Sequence, residues 1–345
     1  MRPVLLVTLL AACPAPQTRP KQQVHDFESS VGGDLKAAAI AELQDDILES
    51  YERDEPPERS GMINPPIGGT RIGVGPGDVE TIDNPARAST RWPLDVGRDA
   101  VAMARSKRLE IHASADLTAA WMYDEVSWRV EKCGRTAVIP LRMTALYAHD
   151  GDRWIEVFEH LSFARIPQPA QDAAQWVRIQ PVRKDQRVPQ QLADDLSRAV
   201  ASVVRPKPSQ NAAISTGPEA VLLGPDVPEE WHGADIARAR MPKAVRGEER
   251  QIGTVGRTIE KATVAYWIGD FTADLPQRPG IPAGRVLLRG TFVFEKRDGR
   301  WIVVVGHLHE PIDDDSLALR VFGTALITAK PLEIDCGEAT PASGQ

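Results

Sequence analysis

The sequence predicts an α+β protein made of two tandem copies of one unit, each an antiparallel sheet packed on helices. Three observations predict it. The stretch Leu141 to Phe163 (LRMTALYAHDGDRWIEVFEHLSF) aligns without a gap on Leu288 to Glu310 (LRGTFVFEKRDGRWIVVVGHLHE), with nine identities in twenty-three positions. Unrelated segments of ordinary composition would share about one or two. Each copy reads as a strand, an Asp/Gly-rich turn and a second strand opening at Trp154 or Trp301, the pattern of a β-hairpin. Upstream, each half carries an aromatic strand, and at its head an amphipathic helix.

In chain order, Leu35, Ala39, Leu43 and Ile47 recur at helical spacing and predict the first helix. Trp92 with Gly97 and Asp99 opens a short helical stretch. Ala120-Trp121-Met122-Tyr123-Asp124-Glu125-Val126 is the aromatic strand, followed by the hairpin and a short tail helix near Gln171 to Trp176. The second half repeats the order. Leu192, Leu196, Val200 and Val203 mark its helix, Trp231 with Gly233 and Asp235 its short helical stretch, Ala265 to Phe271 its aromatic strand, and Ser316 to Phe322 its tail helix. Helices gathered on one face of antiparallel sheets define the α+β class. Pro-rich punctuation at 56–69, 167–169 and 205–210 falls between these elements, because proline lacks the donor that helix and sheet interiors require.

The N-terminus is of another kind. Met1-Arg2-Pro3 precedes an apolar run from Val4 to Ala12, the layout of a secretion signal and shorter than the roughly 20 residues needed to span a bilayer. Leu10-Ala11-Ala12-Cys13 resembles the lipobox of bacterial lipoproteins. That resemblance implies cleavage before Cys13, acylation of its thiol and usually of its new amino group, and a stable membrane anchor, since several acyl chains hold where one does not. The segments then read as a signal peptide (1–12), a polar tether (13–30), a first unit (31–180), a second unit (186–337) and a tail (338–345). Pro14 follows the cysteine where the inner-membrane retention signal usually has Asp, which favours the outer membrane, facing periplasm or cell surface. Cys133 and Cys336 remain in an oxidising compartment, where a disulfide and two free thiols are both open.

A long helix, a Trp-x-Gly-type turn into a short helix, and a final hairpin reading Asp-Gly-x-Trp-x-Ile/Val-x-x-x-His resemble SnoaL-like domains of the nuclear transport factor 2-like superfamily. Asp298-Gly299-Arg300-Trp301-Ile302 fits without adjustment, and Gly224-Pro225-Asp226 to Gly233 resembles the family's turn into the short helix. The first half departs by one extra residue in Asp150-Gly151-Asp152-Arg153-Trp154 and by an insertion before Trp92. The resemblance implies cone-like units, each a strongly curved sheet around helices, with a pocket in the cone. It also implies pairing through the convex faces, here an internal pseudo-dimer of the two units. Relatives include isomerases, cyclases, dehydratases and hydrolases alongside proteins that only bind, so fold does not decide function.

For chemistry, His160 and His307 stand out because the repeat preserves them, each six residues after its Trp. Period-two alternation puts Trp and His on one face. If that face is concave, each imidazole is an acid or base at the pocket floor; otherwise it is a hydrogen-bonded structural group. Asp124 and Asp270, with Glu125, lie among aromatics and are the carboxylate candidates for proton transfer. Trp92, Trp121, Tyr123, Trp128, Trp231, Tyr266, Trp267 and His309 are the expected lining of a pocket for a small apolar ligand. His307-x-His309 has the spacing of a metal pair but lacks a convincing third ligand, and no cofactor or metal is expected.

The net charge of −7 and the lack of a basic stripe argue against nucleic acid. No Gly-rich phosphate loop, no Gly-x-Ser-x-Gly elbow and no nucleophilic cysteine setting is present. The expectation is therefore a lipid-anchored envelope protein whose paired units bind a ligand or partner or serve a structural role. The alternative is an enzyme using a pocket His with a carboxylate.

Overall fold

In the computed structural model, helix α1 (Gly33–Arg53) and helix α2 (Gln190–Val204) form where the apolar spacing places them. The described residues are 33–53, 70–72, 81–82, 101–132, 135–163, 188–205, 212–226, 229–256, 258–275, 277 and 283–311. Expectations for 1–32, Trp92 with Gly97 and Asp99, Cys133, both tail helices and Cys336 lie outside them. On α1, Leu43 and Ile47 are fully buried, and on α2 Leu196, Val200 and Val203 are buried. Each such side chain contributes about 1.5–3 kcal/mol relative to exposure, which is what holds each helix on its sheet. Leu35 stands exposed at the head of α1.

The first sheet has seven strands: β1 (Thr70–Ile72), β2 (Thr81–Ile82), β3 (Val101–Ser106), β4 (Glu110–Ala113), β5 (Ala119–Lys132), β6 (Arg135–His149) and β7 (Trp154–Phe163). Their order is β2-β1-β7-β6-β5-β3, with β4 also on β5. The second sheet has β8 (Val221–Leu223), β9 (Glu230–His232), β10 (Lys243–Val255), β11 (Val264–Leu275), β12 (Gly284–Arg297) and β13 (Arg300–His309). Its order is β10-β11-β12-β13-β8-β9. Read from the other edge, this is the order of the first sheet. In each, the long strands pair antiparallel and one short strand runs parallel beside the last one, Ile72 on His160 and Leu223 on His307. The class is α+β. The expected short helix after Trp231 is a 3-10 turn, Gly233–Arg238, and Trp231 itself belongs to β9.

The two hairpin turns differ within segments of equal length, four residues linking β6 to β7 and two linking β12 to β13. Asp298 and Gly299 both have positive φ (48° and 74°), the two-residue turn whose twist matches the flanking strands. The first turn spans Asp150 to Arg153, with the Asp150 carboxylate accepting the N–H groups of Asp152 and Arg153 at 3.0 and 3.1 Å.

One expectation fails, and the reason is local. Trp154 and His160 do not share a face, nor do Trp301 and His307. Register shifts fall between Leu146 and Tyr147 of β6 and between Val293 and Phe294 of β12, so Val157 and Val304 are extra residues in the facing strands. A one-residue bulge inverts the alternation beyond it. Trp154 and Trp301 therefore pack toward the helices, with Leu43, Ile47 and Met143 in one cluster and Leu196, Phe292 and Leu308 in the other. The histidines emerge on the opposite side.

That opposite side is where the two sheets meet. Ile72, Ala119, Trp121, Leu146 and Phe158 of the first sheet form one cluster with Val264, Tyr266, Ile268, Val293, Val304 and Val305 of the second. The Phe158 and Tyr266 rings lie 5.8 Å apart. Hydrogen bonds cross the junction from buried side chains. Trp121 Nε1 donates to the Glu219 carbonyl at 3.0 Å, and Arg142 Nη2 to the Gly224 carbonyl at 2.8 Å.

Candidate functional site

Two polar constellations are built by this framework, one on each side of the first sheet.

The first lies in the junction. Thr144 and Thr291 occupy the same place in the repeated hairpin, as do His160 and His307, Arg142 and Arg289, and Ser162 and His309. All eight are buried. Thr144 Oγ1 lies 3.0 Å from His307 Nδ1, and Thr291 Oγ1 lies 2.9 Å from His160 Nδ1. His307 Nε2 meets Ser162 Oγ at 2.8 Å, and His160 Nε2 meets His309 Nδ1 at 2.6 Å. The imidazoles of His160 and His307 stack with centroids 3.8 Å apart. Burial pushes the pKa of all three histidines well below the usual imidazole value. Arg289 adds to this for His160 and His309, Arg142 for all three, His160 for His307 and His309, and His309 for His307. Neutral rings can trade donors and acceptors with hydroxyls and each other, so the network is satisfied without charge. Of the imidazole nitrogens of this trio, His309 Nε2 is the one buried without a hydrogen-bond partner among the described residues.

At one edge of the junction, His232 is held between two carboxylates. Its Nδ1 is 3.1 Å from Glu110 Oε2 and its Nε2 2.8 Å from Glu230 Oε1. Arg108 pairs with both, at 2.7 Å to Glu110 and 3.1 Å to Glu230, and lies 5.5 Å from the centre of the Tyr123 ring. Burial opposes the charge on His232, but hydrogen bonds to the two carboxylates raise its pKa. Burial likewise opposes ionisation of Glu110, yet His232 and Arg108 hold it down to about 2.

The second constellation is on the helix-facing side of the first sheet, under α1. Asp124 is fully buried among residues of the α1 core. Its Oδ1 accepts from Ser106 Oγ at 2.9 Å and from the Arg108 N–H at 3.2 Å, and the Tyr51 hydroxyl and the Lys107 N–H lie beside the carboxyl and favour its charged form. The Tyr51 hydroxyl, whose pKa is raised by burial and then by the charges of Asp124, Tyr147 and Glu159, donates to Met143 Sδ at 3.6 Å. Burial pushes the Asp124 carboxyl up to about 7 against the pull of its donors.

The second sheet has no such group at the matching place. Asp124 pairs with Met143 across β5 and β6, and Gly269 pairs with Gly290 at the same position of β11 and β12. The space is taken by Trp267, Phe271 and Phe292, whose ring centroids lie 5.1, 5.9 and 6.1 Å apart pairwise. A Cβ on Gly290 would come within 2.4 Å of Leu308 Cδ2 and 2.8 Å of the Phe271 ring.

The sequence-predicted residues thus divide. His160, His307 and His309 meet in the junction, and Trp121, Tyr123 and Tyr266 lie on that same side. Trp231 and Trp267 pack with the α2 core. Trp92 and the Trp128 side chain lie outside the described residues. Asp124 and His160 stand on opposite faces of one sheet, so the expected convergence of a His and a carboxylate in a pocket is not what the geometry makes. Asp270 is not the equivalent of Asp124. It matches Glu125, is buried, and pairs with Arg250 at 3.0 Å and Arg289 at 3.5 Å. Among the described residues no group of three or more His, Cys, Asp or Glu is disposed to hold a metal. A cleft of about 470 Å³ opens elsewhere, between α2 and the β12–β13 turn, walled by Asp195, Arg198, Arg300 and Trp301. Sequence reasoning missed Arg142, Arg289, Thr144, Thr291 and the His232 cluster. The Leu-Arg-x-Thr identity in both hairpins was the available signal for the first four.

No family model matches the chain, and no curated protein matches it. Solved structures overlap parts of it. The CamKII hub homology domain of Chlamydomonas reinhardtii is 14% identical with a TM-score of 0.29, over 36% of this chain and 98% of that one. An NTF2-like protein of unknown function from Pseudomonas putida is 15% identical, TM-score 0.29, over 36% and 87%. The hexachlorocyclohexane dehydrochlorinase LinA-type3 from Novosphingobium barchaimii is 13% identical, TM-score 0.29, over 38% and 90%. Overlaps at this level say nothing of activity.

Proposed function

We propose that the protein is a lipid-anchored bacterial envelope protein built as an internal pseudo-dimer, in which the first unit holds a small ligand and the second is its structural partner. The observation that carries this is the contrast between the two helix-facing sides. One keeps a fully buried carboxyl whose pKa burial raises to about 7, and the other has glycine and packed aromatic rings at that place. Keeping a carboxyl out of water is costly even when it is hydrogen-bonded, and carboxyls perturbed by burial cluster at working sites. The ligand is small and mainly apolar, with one group able to bond the Asp124 carboxyl beneath α1. The Asp124 carboxyl, poised at about 7, also favours a second reading, acid–base catalysis on that ligand by Asp124 and not by His160 or His307.

The test is native mass spectrometry of the full chain extracted in mild detergent. The wild type is expected to retain a small molecule that Asp124→Asn, which keeps the acceptor for Ser106, releases. No retained species in either protein, or equal retention in both, would overturn the ligand reading. The anchor is tested separately, since Cys13→Ala is expected to move the protein from the membrane to the soluble fraction, and unchanged acylation would refute the lipobox.

A further inference from the structure

We propose that the junction between the two sheets is an acid-responsive joint, in which protonation of the stacked imidazoles parts the sheets at their centre while the His232 cluster holds one edge as a hinge.

The geometry sets up opposite responses in the two places. At the centre, every partner of the imidazole nitrogens is a hydroxyl or another imidazole. A proton added there puts positive charge on rings stacked 3.8 Å apart, in a buried space that already holds two guanidiniums. The charged groups facing the trio from the packed elements offer little relief. Arg142 of β6 stands opposite Glu125 of β5 in register and donates to the Gly224 carbonyl. Arg289 of β12 is paired with Asp270 of β11, which also takes Arg250 of β10. Glu229, before β9, is pushed up to about 7 by burial, against the pull of Arg142, and Glu310 follows His309 at the end of β13. Glu230 of β9 is committed to His232 and Arg108.

At the edge, both His232 nitrogens face carboxylate oxygens, which only accept, so the bridge is made by the imidazolium. The signs follow. The central histidines have depressed pKa values, so their contribution is present above the ordinary 6.5 and is lost as pH falls below it. His232 has a raised pKa, so its bridge is complete below 6.5 and lost as pH rises through its folded value. Glu110, held down to about 2, contributes in full above its ordinary 4.5, and that contribution is lost only as pH falls from there toward 2. Between about 4.5 and 6.5 the centre weakens while the edge is at full strength.

Spin labels on the exposed positions Val138 of β6 and Val245 of β10 report the separation. They are introduced as Val138→Cys and Val245→Cys in the full lipidated chain, with Cys133→Ser and Cys336→Ser. The expected result is a second, altered distance population that grows below pH 6.5 and reverses on neutralisation. Linkage limits its growth to about a thousandfold per pH unit for three protons. His309→Ser installs the residue the first sheet already uses at this place, Ser162, and lowers that limit to about a hundredfold. His232→Gln is expected to broaden the acid distances, because the hinge is gone. A single distance unchanged from pH 7.5 to 5, or a steepness untouched by His309→Ser, would overturn the joint. Should His309→Ser fail to fold, imidazole NMR of the wild type decides. Three rings that stay neutral until the distance changes support it, and three ordinary independent titrations near 6.5 overturn it.

Discussion

Asp124 is the residue whose chemistry departs furthest from its surroundings, and its linkage to folding has a definite sign. Its folded pKa of about 7 stands above the ordinary 3.8, so the folded state binds the extra proton between those values. Its contribution is therefore complete below 3.8 and lost as pH rises through 7, up to about 4 kcal/mol. Asp124→Asn keeps the acceptor for Ser106 and removes the titration. The variant is expected to match the wild type near pH 4 and to exceed its stability by a few kcal/mol at pH 8, measured by urea denaturation at both pH values. Equal stability at pH 8 would show that the carboxyl ionises freely in the fold. The sequence displayed Asp124 among aromatics but not its burial, because a strand says which side chains share a face and not what covers that face. Asp270 shares with Asp124 a place on an aromatic strand but not a register. One step of alignment, Asp124 on Gly269 and Glu125 on Asp270, separates them, and the cross-strand partners Met143 and Gly290 bear it out.

At the scale of the element, the strands explain both what sequence foresaw and what it did not. Helices α1 and α2 and the hairpin β12–β13 were legible because 3.6-residue spacing and Asp-Gly turn chemistry are local signals. The bulges at Val157 and Val304 were not, since a bulge is defined by the facing strand and valine gives no mark of it. One unseen residue in each strand moved the histidines from the expected pocket floor to the junction. The small strands β1 and β8 were missed for a related reason, as three residues running parallel beside a long strand leave almost no periodic trace. Strand β12 makes its own test. Gly290 is pressed between Leu308 and Phe271, so Gly290→Ala is expected to cost about 1–3 kcal/mol by overpacking. Gly284, with nothing near its would-be Cβ, is expected to accept alanine with a change within about 0.5 kcal/mol. Chemical denaturation of the two variants side by side checks the contrast.

For the whole molecule, the junction is the feature that binds both halves, and its paired bonds predict paired energetics. Thr144→Val and Thr291→Val each remove one hydroxyl from an imidazole and are each expected to cost about 1–3 kcal/mol at neutral pH. The two losses should be alike to within about 0.5 kcal/mol. The double variant should depart from their sum, since both bonds end on the same stacked rings. Unequal single losses with strict additivity would mean that the two halves contribute independently. The pairing of convex faces was an expectation drawn from resemblance, while the residues that make the contact were within reach as identities in the repeat. The mismatch within that repeat, Ser162 against His309, has a further meaning. A dimer of two identical chains with a two-fold axis must place its ionisable groups there in even numbers, two imidazoles with serine or four with histidine. Three is a number that no two-fold dimer of either half can give, and it sets the proton capacity of this junction between those of the two symmetric assemblies.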